Sequence, residues 1–231
     1  MTMKSTGLLL FISGPSGVGK STICRRLARE LPASFALSAT TRPRKPQDKQ
    51  AKRYIFIDEY EFRRRRESGD FLEYARVFGH WYGTLRQPVV AALARGRTVL
   101  LEIDVQGGRQ VSGLFPAAVG IFILPPSARE LARRLTSRGR DEPDVIRRRI
   151  ARAQREIREA RLSGAYPHMV MNNELDQTVQ TLIRLVRDYQ SEAGNSDADL
   201  RSRPALSSRL HKESGHPGNS PRGRRAGPPP S

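Results

Sequence analysis

Residues 14–21 read Gly-Pro-Ser-Gly-Val-Gly-Lys-Ser. Gly14, Gly19, Lys20 and Ser21 fit the pattern G-x-x-x-x-G-K-[ST], whose residue types follow from the task of holding a polyphosphate. Glycines let successive backbone N–H groups curl around phosphate oxygens. A helix opening at Lys20 adds its positive dipole end. The Lys20 ammonium can reach the β- and γ-phosphates, and the Ser21 hydroxyl can ligate Mg²⁺. Pro15, Ser16, Gly17 and Val18 complete the loop. The motif points to a nucleoside triphosphate with Mg²⁺ as cofactor. It leaves the acceptor open: water makes a triphosphatase, whereas a kinase needs a second substrate site.

Four more segments carry candidates for that second site. One is Ser38-Ala-Thr-Thr41-Arg42-Pro-Arg44-Lys45, followed by Tyr54. Another runs from Phe71 through Glu73, Tyr82 and Thr84. The third is Leu101-Glu102-Ile-Asp104-Val-Gln106-Gly107-Gly108. The fourth is Ile121 to Ser127, leading to Arg134, Arg138-Gly139 and Arg149. Together with the phosphate loop they closely resemble the guanylate kinase family, in order from about Gly7 to Tyr189. The T-T-R, E-[YH]-A…G-x-[YW]-Y-G-[ST] and [ED]-I-D-x-Q-G strings are far more specific than the loop itself. The resemblance implies transfer of the γ-phosphoryl group of ATP to GMP, with dGMP an open second acceptor. It implies a three-layer P-loop NTPase α/β fold, a parallel sheet flanked by helices, with a GMP-binding insert and an Arg-rich lid.

The chemistry of the matching residues agrees with that expectation. Guanine presents N1–H and a 2-amino group side by side, and one carboxylate, Glu73, can accept both. Adenine would set a lone pair against it, a mismatch that can cost roughly 10⁴-fold. By resemblance, Ser38 and Thr84 donate to other guanine edge atoms. Arg42, Tyr54 and Tyr82 occupy positions that grip the GMP phosphate. The chain departs from the family where Lys45 falls at the place of a second phosphate-binding arginine. A lysine is a point charge without the guanidinium fork, which predicts a weaker hold on GMP or a shifted loop. The resemblance sets Glu102 and Asp104 against the GMP nucleoside and the Mg²⁺ shell, with Asp104 reaching the metal directly or through water. A strand-end helix cap is the other reading of Asp104. Arg134, Arg138 and Arg149 match lid and catalytic arginines, which with Lys20 would stabilise the transferring phosphoryl group. Asn172 fits a position near the adenine of ATP, and a loop-capping amide is as plausible on its chemistry. Arg63 to Arg66 read as a solvated helix face, and Cys24 as a packed, inert thiol.

These residues need a scaffold. Leu8 to Ser13, Thr98 to Ile103 and Val119 to Leu124 are apolar runs of the kind that make buried parallel strands, with a short one at Met169 to Met171. Helices are expected over Lys20–Leu31, from Asp58 to Gly69, over Gln87–Arg95, from Ser127 to about Ser137, from about Asp144 to Arg161, and over Leu175–Tyr189. Asp58 with Glu61, and Ser127 with Glu130, are capping-box pairs. Tyr54–Ile57 and Phe71–Phe78 read as strands, Ser38–Gln50 as loop and Gly79–Thr84 as a turn. The alternation implies an open parallel sheet. The core would comprise 1–37, 98–127 and 162–193, the insert 38–97 and the lid 128–161.

From Gly194 to Ser231 the composition turns to Pro, Ser, Gly and Arg, with seven Lys or Arg against three Asp or Glu. Such a stretch buries too little apolar surface to offset its ordering entropy and reads as a disordered basic tail. Most of the net charge of +18 stays with the folded part and calls for anionic partners. One cysteine excludes an internal disulfide framework. No uncharged apolar run approaches the roughly 18 residues of a membrane span, and the protein is expected in the cytoplasm, as a monomer or weak homo-oligomer without a specific nucleic-acid partner. Competing readings are a related kinase for another phosphorylated acceptor, a non-catalytic interaction module of the same fold, and a nucleic-acid binder. The intact Lys20 argues against the module.

Overall fold

The computed structural model describes residues 7–44, 53–137 and 142–202. Leu9–Ser13 (β1) is buried along its whole length and lies at the centre of the main sheet. Alternate side chains of a strand point to opposite faces, so β1 feeds two cores. Leu10 and Ile12 join Ile23 and Leu27 of α1 (Lys20–Glu30) and Val179, Leu182 and Val186 of α7 (Leu175–Ser202). Leu9 and Phe11 pack with Val89 of α3 (Arg86–Leu93), with Val105 and Val111 of α4 (Val105–Leu114), and with Ala160 of α6 (Pro143–Leu162). The other strands of this sheet are β2 (Ala33–Phe35), β7 (Thr98–Glu102), β8 (Val119–Leu124) and β9 (His168–Met171). The order is β2-β7-β1-β8-β9, with every pairing parallel. Parallel strands flanked on both faces leave their ligand crevice at the carboxyl ends, where the glycine loop leaves β1 and Asp104 follows β7.

The insert builds a second, mixed sheet from β3 (Ser38–Thr40), β4 (Tyr54–Phe56), β5 (Phe71–Val77) and β6 (His80–Leu85), in the order β4-β3-β6-β5. It is sealed by α2 (Glu59–Glu67), whose Phe62 ring stacks on Phe71 at 4.5 Å and Trp81 at 5.6 Å. The Asp58 carboxylate caps α2 by accepting the Glu61 N–H at 2.7 Å. Ser127 does the same for α5 (Ala128–Thr136), accepting from the Glu130 N–H at 3.0 Å. Leu131 and Leu135 of α5 pack with Ala153 of α6 to form the lid's own core.

Several elements differ from the sequence expectation. Ser38–Thr40, read as loop, is β3, because it is zipped between β4 and β6. Gly79–Thr84, read as a turn, is mostly β6. The turn is only Phe78-Gly79, the two residues between the last ladder pair, Val77 and His80. β2 and α4 carry no local signal strong enough to be read. α4 contains Gly107, Gly108 and Gly113, which lower helix propensity, yet Val105 and Val111 bind it to the core. The helix expected over Gln87–Arg95 is α3, and its Val89 packs with Leu9, Val99 and Leu101 of the main sheet. The final helix runs to Ser202, into the stretch read as tail. Extending an existing helix is cheap compared with nucleating one. Among the described residues, no helix is long and apolar enough to cross a membrane.

Candidate active site

The phosphate loop owes its shape to three glycines at positive φ: Gly14 at 152°, Gly17 at 91° and Gly19 at 102°. A Cβ on Gly17 would collide with Leu135 and Leu131, so the lid helix α5 rests directly on the loop. The Lys20 ammonium donates to the carbonyls of Gly14 and of Pro15, the latter at 3.1 Å. Burial pulls its pKa below the ordinary lysine value, opposed by the charges of Glu102, Glu156 and Asp104. The Ser21 hydroxyl donates to Glu102, whose other oxygen takes an ion pair from Arg53 at 3.2 Å. The Arg53 guanidinium carbon lies over the Phe35 ring, 4.1 Å from its centroid.

Lys20, with Gly14 and Ser16, opens onto a cleft shared with the insert and α6. Its walls include Ser38, Tyr54, Glu73, Tyr82, Glu102, Asp104, Phe78, Arg152 and Glu156. Glu73 is 5% exposed. Its Oε1 accepts the Thr84 N–H at 3.1 Å and the Thr84 hydroxyl at 2.5 Å. Ser38 and Thr84 stand opposite each other on β3 and β6 with their hydroxyls 3.5 Å apart. Burial pushes the Glu73 carboxyl up to about 7, and the nearby Asp104 charge adds to it, against the bonds from Thr84. Burial also raises Asp104, which accepts the Gly107 N–H at 2.9 Å and so caps α4. The helix-cap reading of Asp104 holds here together with its place on the cleft wall.

Arg42 lies over the rings of Tyr54 (5.5 Å) and Phe56 (5.2 Å), and Tyr54 meets Tyr82 edge-on at 6.4 Å. These four residues form one corner of the insert. Arg134 sits behind the loop, tied to Glu130 at 2.8 Å and to the Asn172 carbonyl at 3.1 Å. The Asn172 amide is engaged at both ends: it donates to the Val18 carbonyl at 2.7 Å and accepts from the Thr178 hydroxyl at 3.1 Å. It therefore braces the phosphate loop, the loop-capping alternative. Arg149 lies over Phe78 on the lid side. Lys45 and Arg138 lie outside the described residues. Arg53 and Arg152 escape the sequence reading, because nothing local separates them from the other arginines. Cys24 is buried in the core, and burial raises its thiol pKa well above the ordinary value.

Hard oxygen donors converge near the loop: the Ser21 hydroxyl and the carboxylates of Glu102 and Asp104. One or two carboxylates, completed by water and substrate phosphates, is the donor set that suits Mg²⁺.

Residues 7–189 match the family model for guanylate kinase. The chain is 45% identical to the guanylate kinase of Dechloromonas aromatica (strain RCB) over 182 residues, covering 78% of this chain and 89% of that one. It is 41% identical to that of Symbiobacterium thermophilum over 201 residues, covering 87% and 94%. The structure is similar to the crystal structure of guanylate kinase from Anaplasma phagocytophilum. The TM-score is 0.66 at 31% identity, over 82% of this chain and 89% of the other.

Proposed function

The chain belongs to the guanylate kinase family, and from that premise we propose how its cleft works. It transfers the γ-phosphoryl group of ATP to GMP, giving ADP and GDP. The phosphate loop takes the triphosphate, with Lys20 turning from its loop carbonyls to the β- and γ-phosphates. Glu73 reads the guanine N1–H and 2-amino group, held in place by Thr84, with Ser38 beside it. Arg42, Tyr54, Tyr82 and Lys45 hold the GMP phosphate. Ser21, Glu102 and Asp104 are the residues that would hold Mg²⁺, which would supply charge neutralisation for the triphosphate. Arg53 fixes the Glu102 carboxylate that Ser21 shares. Arg138 and Arg149 bring positive charge to the phosphoryl group in flight, and Arg134 joins them by leaving its bonds to Glu130 and the Asn172 carbonyl.

No strong general base is required. The GMP phosphate is already an anionic nucleophile at neutral pH, so positioning and neutralisation suffice. Insert and lid face each other across the cleft, and their closure excludes water that would otherwise hydrolyse ATP. The reading assigns the enzyme to purine nucleotide recycling in the cytoplasm.

The observation that carries it is the buried Glu73–Thr84 pair on the same cleft as Lys20 and Asp104. The test is ADP release from Mg-ATP with GMP, AMP, CMP, UMP or no acceptor. Strong dependence on GMP is the expected result. Equal release without acceptor, or preference for another nucleotide, would overturn the assignment of acceptor.

A further inference from the structure

The β5–β6 hairpin ends in a two-residue loop, Phe78-Gly79, with φ of 51° and 84°. Both central residues of such a tight turn need positive φ, which is why Asn, Asp and Gly fill it elsewhere. Phe78 is the only non-glycine with positive φ among the described residues, and for a bulky side chain that conformation is strained. The residue is also 54% exposed. Neither property helps the turn. Strain of this kind persists where surrounding contacts hold it, and it marks functional positions.

The ring lines the active-site cleft. Two guanidinium groups of α6 lie over it, Arg152 at 4.6 Å and Arg149 at 5.4 Å from the centroid. Arg152 also pairs with Glu156 at 2.7 Å. The hairpin belongs to the insert, and β5 carries Glu73. The arginines belong to the lid. A guanidinium stacked on a ring uses its face and keeps its N–H edge for phosphate oxygens.

We propose that Phe78 is a positioning residue for phosphoryl transfer: its ring is the shelf that aims the Arg149 and Arg152 guanidiniums at the cleft. It thereby ties the strand that reads the acceptor base to the lid that supplies charge. The inference rests on the reading of the lid arginines as phosphate-facing cations.

The test uses the full chain and the variants Phe78→Leu, Phe78→Tyr and Phe78→Gly, together with Arg149→Ala, Arg152→Ala and the Phe78→Leu/Arg149→Ala pair. Phe78→Leu should lower kcat about tenfold, with KM for GMP within about twofold. Phe78→Tyr should restore kcat. Phe78→Gly should lower kcat as leucine does while the melting temperature holds or rises, because the strain is relieved. The double variant should be no slower than Arg149→Ala by the full Phe78→Leu factor. A Phe78→Gly enzyme that turns over at the parental rate overturns the proposal, as does full additivity in the double variant. If neither arginine variant slows transfer, the reading of the lid arginines fails and the shelf fails with it. If an arginine variant slows transfer and Phe78→Leu does not, the shelf alone is overturned.

Discussion

At Glu73, burial and base recognition pull on one proton in opposite directions. Burial lifts the carboxyl from the ordinary value of 4.5 to about 7. Guanine needs the carboxylate, because both of its groups there are donors. Below pH 7 binding must therefore expel a proton, and apparent affinity falls toward about tenfold per pH unit. We expect Glu73→Gln to lower kcat/KM for GMP roughly 10- to 100-fold at pH 8, and the two enzymes to converge toward pH 5.5. GMP's own phosphate titrates near pH 6 in both, so the ratio isolates Glu73; a ratio that stays flat with pH would refute this. Stability follows the opposite sign. A folded pKa raised from 4.5 to about 7 gives a contribution fully present below pH 4.5 and lost as pH rises through 7. The melting temperature of the nucleotide-free parent should fall across that window, and Glu73→Gln should show less of the fall. The phosphate loop was legible because its meaning lies in local spacing, and Glu73 was singled out because its string resembles the guanylate kinase family and its carboxylate suits guanine. Arg53 was not: its partner Glu102 is 49 positions away, and it is one of 41 Lys and Arg residues.

The elements show where reading a sequence stops and packing begins. β6 holds its place by pairing with β3 and β5, and no pattern within six residues could announce two partners. α4 shows the same, and its three glycines sort by what stands opposite them. A Cβ on Gly107 would run into the Glu73 carboxylate. On Gly108 it would meet the Tyr166 hydroxyl, which donates to Ser13 at 2.9 Å in the core. On Gly113 it would meet nothing. Alanine is otherwise favoured over glycine in a helix by up to about 1 kcal/mol. Gly113→Ala should therefore raise stability by a fraction of that, with activity intact. Gly108→Ala should destabilise by roughly 1–3 kcal/mol through overpacking. Gly107→Ala should fold yet raise KM for GMP severalfold or more, because it displaces the base-reading carboxylate. Thermal melts and GMP titrations of the three variants separate these outcomes, and equal effects at all three would contradict the geometry. An alanine scan thus reads the helix as both a wall of the site and a part of the core.

For the whole molecule, charge and fold are distributed differently along the chain. Among the described residues, the strands and helices that build the two sheets and the lid run from Leu9 to Ser202. Residues 203–231 add six Lys or Arg against one Glu, among prolines and glycines. At physiological ionic strength the Debye length is about 8 Å, so the charges of residues 203–231 act only on what comes within about that distance. The cleft itself has acidic side chains, Glu73, Glu102, Asp104 and Glu156, set inside a strongly basic protein. On the proposed reading their roles are local, at the base, the metal and the lid, and the net positive charge is expected to act on polyanions at large. Truncation after Ser202 should accordingly leave kcat, both KM values and the melting temperature unchanged near 0.15 M salt. The same truncation should weaken binding to a single-stranded oligonucleotide. It should also flatten the slope of log affinity against log salt by about 0.7 for each lost phosphate contact. Fluorescence anisotropy of a labelled oligonucleotide across a salt series measures that slope. An unchanged slope would locate the polyanion binding on the folded domain. A loss of turnover would instead mean that the extension reaches the cleft, and that the kinase is not complete at Ser202.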